Sequence, residues 1–419
     1  MIAARDRLSL IFTRRSSLTF SFKKLILWQV VETVTLQEFR TFLFQNEAIM
    51  KVLSVFGTRP EAIKMAPVLK ELEKYPDHIV SRICVTAQHR QMLDQMLALF
   101  QIVPDYDLDV MRESQTPTQV AAAVLVGLEG VLQAEKPDWV LVQGDTTTVA
   151  AAAWAAFYAR ARVGHVEAGL RTYDKKYPFP EEVNRRLASA IADLNFAPTA
   201  GARDNLLREG VAPQTIVVTG NPVIDALQYV AQLPYDPADG PLADIPWQRR
   251  IILLTAHRRE NLGEPLEQIC LAARDLAQSY PADLHLVYPV HLNPGVQEPA
   301  RRILGDLPNV TLTPPLDYLP LVYLLKHSTL VLTDSGGLQE EAPGLGKPVL
   351  VLRHVTERPE AVEAGSVRLV GSARAQIVAW SRRLLDDATE YQRMARAVNP
   401  YGDGQAARRI VAALLEAGA

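Results

Sequence analysis

The chain has 419 residues, of which 48% are hydrophobic and 22% are charged, and its formal net charge is −3. These values are ordinary for a globular protein long enough to form two domains, and the slight negative charge argues against a nucleic-acid partner. No apolar run approaches the ~18–20 residues of a membrane span, so we expect no membrane partner either. Cys84 and Cys270 each lie within an apolar stretch and fit a reducing cytoplasm better than a disulfide framework.

Residues 1–49 differ in character from the rest of the chain. They carry seven basic and four acidic residues, a local balance of +3. The apolar run 25–28 is short and no small-residue cleavage site follows it, which argues against a signal peptide. Met50 stands directly before a clean first strand. We therefore expect 1–49 to be a poorly structured extension or an over-long start assignment, with a genuine accessory segment as the alternative.

From Met50 onward, short β-rich runs alternate with amphipathic helices. Strands are predicted at 51–56, 81–86, 139–142, 162–166, 195–197 and 216–219. Helices are predicted at 61–74, 90–100, 118–134, 147–159 and 181–192. Strand–helix repetition of this kind predicts a parallel sheet covered by helices on both faces.

A proline-rich stretch, 233–248, then separates a second set of alternating elements from the first. Its strands are predicted at 251–255, 284–288, 310–313, 330–333, 349–352 and 367–369. The fold class is therefore α/β, with two Rossmann-like domains at 50–232 and 249–404 and a cleft between them where a ligand would bind. Residues 405–419 are predicted to form a C-terminal helix, and the sequence leaves open whether it packs back onto the first domain.

Three of the apolar runs end in ionisable residues, namely Asp145, Glu167 and His257. Ligands of parallel α/β sheets bind beyond the carboxyl ends of the strands, so these residues predict proton-transfer chemistry on an anionic substrate. Structural alternatives exist for two of them. Asp145 could serve as a helix N-cap, and Glu167 could be paired with Arg171. His165, within its strand, is read as a satisfied core histidine.

Two strand-to-helix turns have features of phosphate sites. In 57–64 (GTRPEAIK), a helix N-terminus combines with Arg59 and Lys64, which predicts either a diphosphate cradle or an ordinary turn with solvated charges.

The second turn is Ser335-Gly336-Gly337, whose glycines would let the backbone approach a phosphate closely. Glu341, one helical turn further, could accept both hydroxyls of a ribose. Glu340 is instead expected to be a solvated helix charge.

Two other motifs resemble functional signatures, but we interpret them as ordinary structural segments. The Asp-x-Asp spacing in 105–109 is typical of metal-dependent glycosyltransferases, but we expect a loop there with no strand to orient it. Residues 402–407 fit Gly-x-Gly-x-x-Ala without the βαβ unit that a dinucleotide fingerprint needs, and they indicate the start of a helix. The sequence has no Walker-type loop and no Cys/His set with zinc spacing, so no metal is expected.

Eight separated segments carry a further signal. They are 50–67 (MKVLSVFGTRPEAIKMAP), 84–93 (CVTAQHRQML), 143–148 (QGDTTT), 164–172 (GHVEAGLRT), 180–185 (PEEVNR), 257–261 (HRREN), 334–343 (DSGGLQEEAP) and 356–361 (TERPEA). In this order they resemble the non-hydrolysing UDP-N-acetylglucosamine 2-epimerases. The resemblance covers essentially all of 50–419 and none of 1–49.

The resemblance implies a two-domain fold of the glycosyltransferase-B type and a cytoplasmic isomerase, commonly a homodimer, that interconverts UDP-GlcNAc and UDP-ManNAc for polysaccharide biosynthesis without a cofactor. It assigns the acid/base role to Asp145, Glu167 and Glu181, and contacts with the diphosphate to Arg59, Lys64, His257 and Arg358. It assigns nucleotide binding to Ser335, Gly336, Gly337 and Glu341. It assigns a second, activating UDP-GlcNAc to Gln88, His89 and Arg258. Leu316 and Leu321 replace the Gln and Phe of some relatives near the uracil.

The chemistry itself constrains the mechanism. The hydrogen on C2 of an N-acetylhexosamine is barely acidic, so we expect loss of UDP to a 2-acetamidoglucal, then re-addition with protonation on the other face. A general base works best with a pKa near the operating pH, so burial is expected to raise the pKa of Asp145 or Glu167. Alternatives are a hydrolysing epimerase that releases ManNAc and UDP, an epimerase for a diacetamido uronic acid sugar nucleotide, a glycosyltransferase of the same fold, and a catalytically silent sensor.

Overall fold

The structure is a computed structural model that describes residues 49–87, 90–112, 114–356 and 358–418. The predicted extension therefore lies outside the described residues except for Ile49. Two parallel β-sheets, each flanked by helices, make up this part of the chain. The predicted fold class, α/β with two Rossmann-like domains of the glycosyltransferase-B type, is confirmed.

The first domain contains a seven-stranded sheet in the order β3-β2-β1-β4-β5-β6-β7. Its strands are β1 (Met50–Phe56), β2 (Ile79–Val85), β3 (Tyr106–Asp107), β4 (Trp139–Gln143), β5 (Arg162–Val166), β6 (Leu194–Ala197) and β7 (Ile216–Val218). Its helices are α1 (Arg59–Leu72), α2 (Arg90–Leu99), α3 (Pro117–Glu135), α4 (Thr147–Tyr158), α5 (Glu181–Ile191), α6 (Ala200–Arg208) and α7 (Pro222–Val230). All strand pairs are parallel, so the carboxyl ends of the neighbouring strands β4 and β5 lie on the same side of the sheet.

The second domain contains a six-stranded sheet in the order β10-β9-β8-β11-β12-β13. Its strands are β8 (Arg250–Thr255), β9 (Leu284–Pro289), β10 (Val310–Thr313), β11 (Leu330–Thr333), β12 (Val349–Val351) and β13 (Val367–Leu369). The helices that follow are α8 (Glu264–Ser279), α9 (Pro294–Leu304), α10 (Tyr318–His327), α11 (Gly336–Gly344), α12 (Pro359–Glu363), α13 (Arg374–Asp386), α14 (Ala388–Ala395) and α15 (Ala406–Ala417).

Helix α7 joins the two domains. It packs against α1 in the first domain and against α10 and α11 in the second. The last helix, α15, contacts both α1 and α7. At its end, the Gly418 carbonyl accepts a hydrogen bond from Trp139 Nε1 at 3.0 Å and another from Arg162.

The proline-rich stretch is packed rather than loose. Leu242 is fully buried, and Ile245 is 4% exposed. Tyr235 and Trp247 pack their rings against Tyr323 of α10, with centroids 5.0 and 5.2 Å apart. Burial of these side chains fixes the connection between the domains.

Two sequence expectations are corrected. Asp107 lies in the edge strand β3, not in a loop. Helix α3 has the length and apolar composition of a membrane span, contrary to our reading of the apolar runs. Only 28% of this apolar window is buried, so α3 is not a core helix; its buried side chains pack against α4 and the sheet, and the rest of its surface is exposed.

Candidate active site between the two sheets

A cavity of about 450 Å³ lies between the domains, at the carboxyl ends of the central strands. The first domain contributes Arg59, Pro60, Ile63, Lys64 and Val223 to its lining. The second contributes Thr255, His257, Pro289, His291, Pro315, Leu316, Tyr318, Leu321, Ser335, Gly337, Leu338, Glu340, Glu341 and Arg358. The lining therefore combines several cationic side chains with the apolar side chains of Leu316 and Leu321.

Glu167 follows β5 and is 4% exposed. Its carboxylate accepts a hydrogen bond from Lys64 and lies 3.4 Å from Arg185 Nη2. The predicted alternative partner is wrong, because Arg171 pairs with Glu209 at 2.8 and 3.0 Å. The backbone of Glu167 has φ 64°, a left-handed conformation that residues with a Cβ rarely adopt and that is found disproportionately at functional sites.

Asp145 follows β4 and shares the same arginine. Arg185 Nη2 donates to the Asp145 carboxylate, and Nη1 donates to the main-chain carbonyl of Glu167. The N-cap alternative for Asp145 is wrong, since Thr146 caps α4 by accepting from Val149 N at 3.3 Å. Two carboxylates at adjacent strand ends are thus held by one buried guanidinium.

The pKa of Glu167 is shifted in the direction opposite to our expectation. Burial alone would raise it, but the positive charges of Lys64 and Arg185 outweigh burial and lower the pKa to about 2. The expected upward shift is therefore wrong for Glu167.

The turn before α1 is organised by Glu61, which the sequence analysis did not single out. Its carboxylate accepts from Gly57 N at 2.9 Å, Thr58 N at 2.7 Å and Thr146 Oγ1 at 2.6 Å. The N–H groups of Gly57 and Thr58 already donate to Glu61. The turn would therefore bind a diphosphate through the side chains of Arg59 and Lys64. The spacing Thr58-x-x-Glu61 is that of a capping box and could have revealed this role.

His257 follows β8 and faces the cavity with 38% of its side chain exposed. Its Nδ1 is 3.5 Å from Asp334 Oδ1, and its ring stacks on His291 with centroids 5.5 Å apart. Asp334, fully buried, also accepts from the backbone N–H groups of His257 and Arg258, both at 2.8 Å. Burial lowers the pKa of His257.

The nucleotide side is built on the start of α11. Glu341 is 7% exposed and accepts from the Tyr318 hydroxyl at 2.8 Å. A Cβ on Gly336 would lie 2.7 Å from Arg358 Nη1. The glycine therefore leaves room for the Arg358 guanidinium beside this turn.

Glu340 corrects another expectation, because it is 2% exposed instead of solvated. Its Oε1 accepts from Arg358 Nε at 2.5 Å. Burial between the domains, not helix periodicity, decides this environment.

A second cavity, of about 220 Å³, adjoins the first through Arg358, which lines both. Its other lining residues are Asp145, Leu170, Arg171, Thr172, Pro178, Glu182, Arg185 and Arg258. Arg258, predicted to bind an activator, thus lines the same cavity as Asp145.

Three other predicted site residues lie apart from these cavities or outside the described residues. Gln88 and His89 lie outside the described residues. Glu181 begins α5 and is half-buried, but it is not among the described residues that line either cavity.

Several other predictions can be compared with the contacts. His165 is fully buried and satisfied by Gly144 O at 2.7 Å and Ser189 Oγ at 3.2 Å, as predicted. Residues 402–407 lead into α15, also as predicted. Among the described residues, no group of three or more His, Cys, Asp or Glu side chains is arranged to hold a metal.

Comparison with known proteins identifies the family. The UDP-N-acetylglucosamine 2-epimerase family profile matches residues 70–415. UDP-N-acetylglucosamine 2-epimerase from Salmonella typhimurium is 56% identical over 371 residues, which cover 87% of this chain and 98% of that protein.

Solved structures agree with this match. The Neisseria meningitidis UDP-GlcNAc 2-epimerase bound to UDP-GlcNAc is 50% identical, with a TM-score of 0.80 and coverage of 88% of this chain and 100% of that one. The Methanocaldococcus jannaschii enzyme in complex with UDP-GlcNAc and UDP is 34% identical, with a TM-score of 0.72 and the same coverage. This chain belongs to the UDP-N-acetylglucosamine 2-epimerase family.

Proposed function

We propose that this protein interconverts UDP-GlcNAc and UDP-ManNAc without hydrolysis, by eliminating UDP to a 2-acetamidoglucal and adding it back. The observation that carries the proposal is the placement of Asp145 and Glu167 on one guanidinium beside a cation-lined interdomain cavity. Binding alone would not require two carboxylates at the reacting end of an anion site.

In the elimination step, the bond between C1 and the diphosphate oxygen breaks, a carboxylate takes the proton from C2, and a C1–C2 double bond forms. Negative charge then develops on the departing diphosphate. Arg59, Lys64, His257 and Arg358 line the cavity and supply hydrogen-bond donors to that charge. Re-addition delivers a proton to the opposite face of C2, while the diphosphate oxygen attacks C1.

The Lys64–Glu167 pair gives substrate binding a way to activate the base. Without substrate, Lys64 stabilises ionised Glu167 and makes it a weak base. A diphosphate that draws Lys64 toward itself removes part of this stabilisation, and the pKa of Glu167 rises toward the range in which a general base is effective. Asp145 and Glu181 are the remaining candidates for the second face of C2.

The test is incubation with UDP-GlcNAc in D2O, followed by NMR. We expect anomeric signals of both UDP-sugars at equilibrium, with deuterium at C2. Accumulation of free ManNAc and UDP would instead indicate a hydrolysing epimerase, and an inert UDP-GlcNAc would contradict the proposal. In that last case, the same assay with a diacetamido uronic acid sugar nucleotide tests the alternative substrate.

Amide variants test the proposed acid/base residues. Glu167→Gln and Asp145→Asn should each slow C2 exchange by about 10²–10⁴-fold. Glu135→Gln is the matched control. The Glu135 carboxylate also pairs with a lysine, with its Oε2 3.1 Å from Lys51 Nζ, but this pair lies at the amino-terminal end of the strands, away from the cavity. Unchanged exchange in both site variants would remove these residues from the mechanism.

A second UDP-GlcNAc as activator is also part of the proposal. The second cavity is lined by four arginines, and the Nε of Arg258 is a buried donor without a hydrogen-bond partner among the described residues. Arg258→Ala should remove any stimulation by UDP-GlcNAc of the reaction measured from UDP-ManNAc. Stimulation that persists in this variant would place the activator elsewhere.

We further propose a cytoplasmic homodimer. Both cysteines are buried and free, as suits a reducing compartment. Val126 of α3 and Trp154, Phe157 and Tyr158 of α4 are 73, 47, 61 and 69% exposed. A groove of about 820 Å³ runs beside Val126 and Tyr158. Apolar side chains clustered in this way are typical of a protein–protein interface.

A further inference from the structure

Asn221 lies between two buried carboxylates that belong to different domains. It precedes α7 and is 1% exposed. Its Nδ2 is 3.0 Å from Glu167 Oε2 in the first domain and 2.7 Å from Glu340 Oε2 in the second. One amide nitrogen therefore contacts the proposed base and an acidic side chain of the nucleotide-binding domain.

The hydrogen-bonding capacity of this amide matches its surroundings. Its NH2 group has two hydrogens, and two carboxylate oxygens are in position to accept them. Its Oδ1 caps α7 by accepting from Val223 N at 3.2 Å. Glu340 is fixed in turn, since its other oxygen accepts from Arg358 Nε.

We infer that Asn221 is a positioning residue that sets Glu167 for proton transfer and couples it to the domain carrying Arg358. The inference rests on the proposed function, because it takes Glu167 as an acid/base residue. Two carboxylates this close to one another repel, and each amide hydrogen reduces that repulsion. Glu167 therefore has its full set of hydrogen bonds only when the second domain places Glu340 beside Asn221.

The substitution Asn221→Asp isolates the two donated hydrogens. It preserves the shape of the side chain and the oxygen that caps α7, but places a third acidic group between the carboxylates. We expect kcat at pH 8 to fall by roughly 10-fold or more, because buried acceptors lose their donors, with little change in KM. The loss should shrink toward pH 5–6, as protonation of the introduced carboxyl restores one donor.

Asn309→Asp is the matched control. Asn309 is 3% exposed, and its Nδ2 donates to Ala277 O at 2.9 Å and Leu284 O at 3.1 Å. It precedes β10, at the amino-terminal end of the strands, and the cavity lies at their opposite, carboxyl end. This variant should lose stability while the folded enzyme keeps the wild-type pH profile. An equal loss of kcat in the two variants, or a loss in Asn221→Asp that is the same at every pH, would overturn the inference.

A second-site exchange tests the contact without turnover. In Asn221→Asp combined with Glu340→Gln, the amide NH2 introduced at position 340 can donate to the carboxylate introduced at position 221. The amide oxygen at position 340 can still accept from Arg358. We expect the double variant to regain part of the melting temperature that Asn221→Asp loses, and absence of recovery would overturn the contact. A wild type that fails to epimerise UDP-GlcNAc would instead refute the proposed function, and the melting temperatures would still decide the contact.

Discussion

The Lys64 ammonium donates to the Glu167 carboxylate in an ion pair whose side chains are only 16% and 5% exposed. Such a pair is costly to break, because removal of one partner leaves the other charge buried without compensation. The pair also connects the proposed diphosphate site with the proposed base. It therefore leads to predictions about both stability and catalysis.

The first prediction concerns acid stability. The pKa of Glu167 is about 2 in the folded protein, below the ordinary value of 4.5. Its ionised form therefore stabilises the fold fully above pH 5, and this contribution disappears as the pH falls toward 2. We expect the difference in free energy of unfolding between wild type and Glu167→Gln to shrink between pH 6 and pH 3, measured by urea denaturation. A difference that grows on acidification would contradict the assigned direction of the shift.

Arg185 gives a second prediction, because it holds both Asp145 and Glu167 and is 6% exposed. Arg185→Met should lower the free energy of unfolding by about 3–5 kcal/mol, the usual cost of breaking a buried charge pair. As a control, Arg374→Met removes a solvent-exposed pair with Asp275 and should change stability little. Similar melting temperatures for the two variants would show that Arg185 is not the organising cation.

A third prediction tests the close approach of Arg358 to Gly336. In Gly336→Ala the added Cβ would lie 2.7 Å from Arg358 Nη1, the mobile end of a long side chain, which must move. We expect the fold to persist and UDP affinity to fall by roughly 10-fold, the equivalent of losing one charged hydrogen bond. Calorimetric titration with UDP measures this.

Gly130→Ala is the control for that substitution, since an added Cβ on this α3 residue meets nothing within 4 Å. UDP affinity should be unchanged in it. Equal affinity of both variants for UDP would argue that Arg358 does not bind the diphosphate.

The fourth prediction concerns the exposed face of α3 and α4. Phe157→Glu places a charge at the centre of the proposed interface and should convert a dimer to a monomer, as measured by sedimentation velocity. Val103→Glu changes a side chain that is 84% exposed but belongs to neither helix, and it should leave the assembly intact. A wild type that sediments as a monomer would contradict the proposed homodimer.

Hydrophobic periodicity predicted most of the fold. The bounds of β5, β10, β11 and β13 agree with the predicted strands, because each is a short β-rich run between clear turns. Strand β3 was missed since two residues carry no detectable period. Helix α3 shows what composition cannot predict. An apolar sequence does not distinguish a buried core helix from a helix whose apolar face is exposed to solvent.

The carboxyl-end rule also placed Asp145, Glu167 and His257 near the interdomain cavities, but it could not supply their partners. Arg171 was the predicted partner of Glu167 because it is four residues away in sequence. The actual partners, Lys64 and Arg185, lie on helices 103 and 18 residues distant. Such pairings depend on how helices are placed around a sheet, which local patterns do not encode.

Helix α15 follows every other described element along the chain, yet its end contacts Trp139 and Arg162 at the start of central strands in the first sheet. The amino-terminal domain therefore cannot acquire its full set of contacts until residues 406–418 have left the ribosome. A nascent chain halted before residue 406 should expose the apolar surface of α1 that α15 covers, and should depend more on chaperones than the released protein.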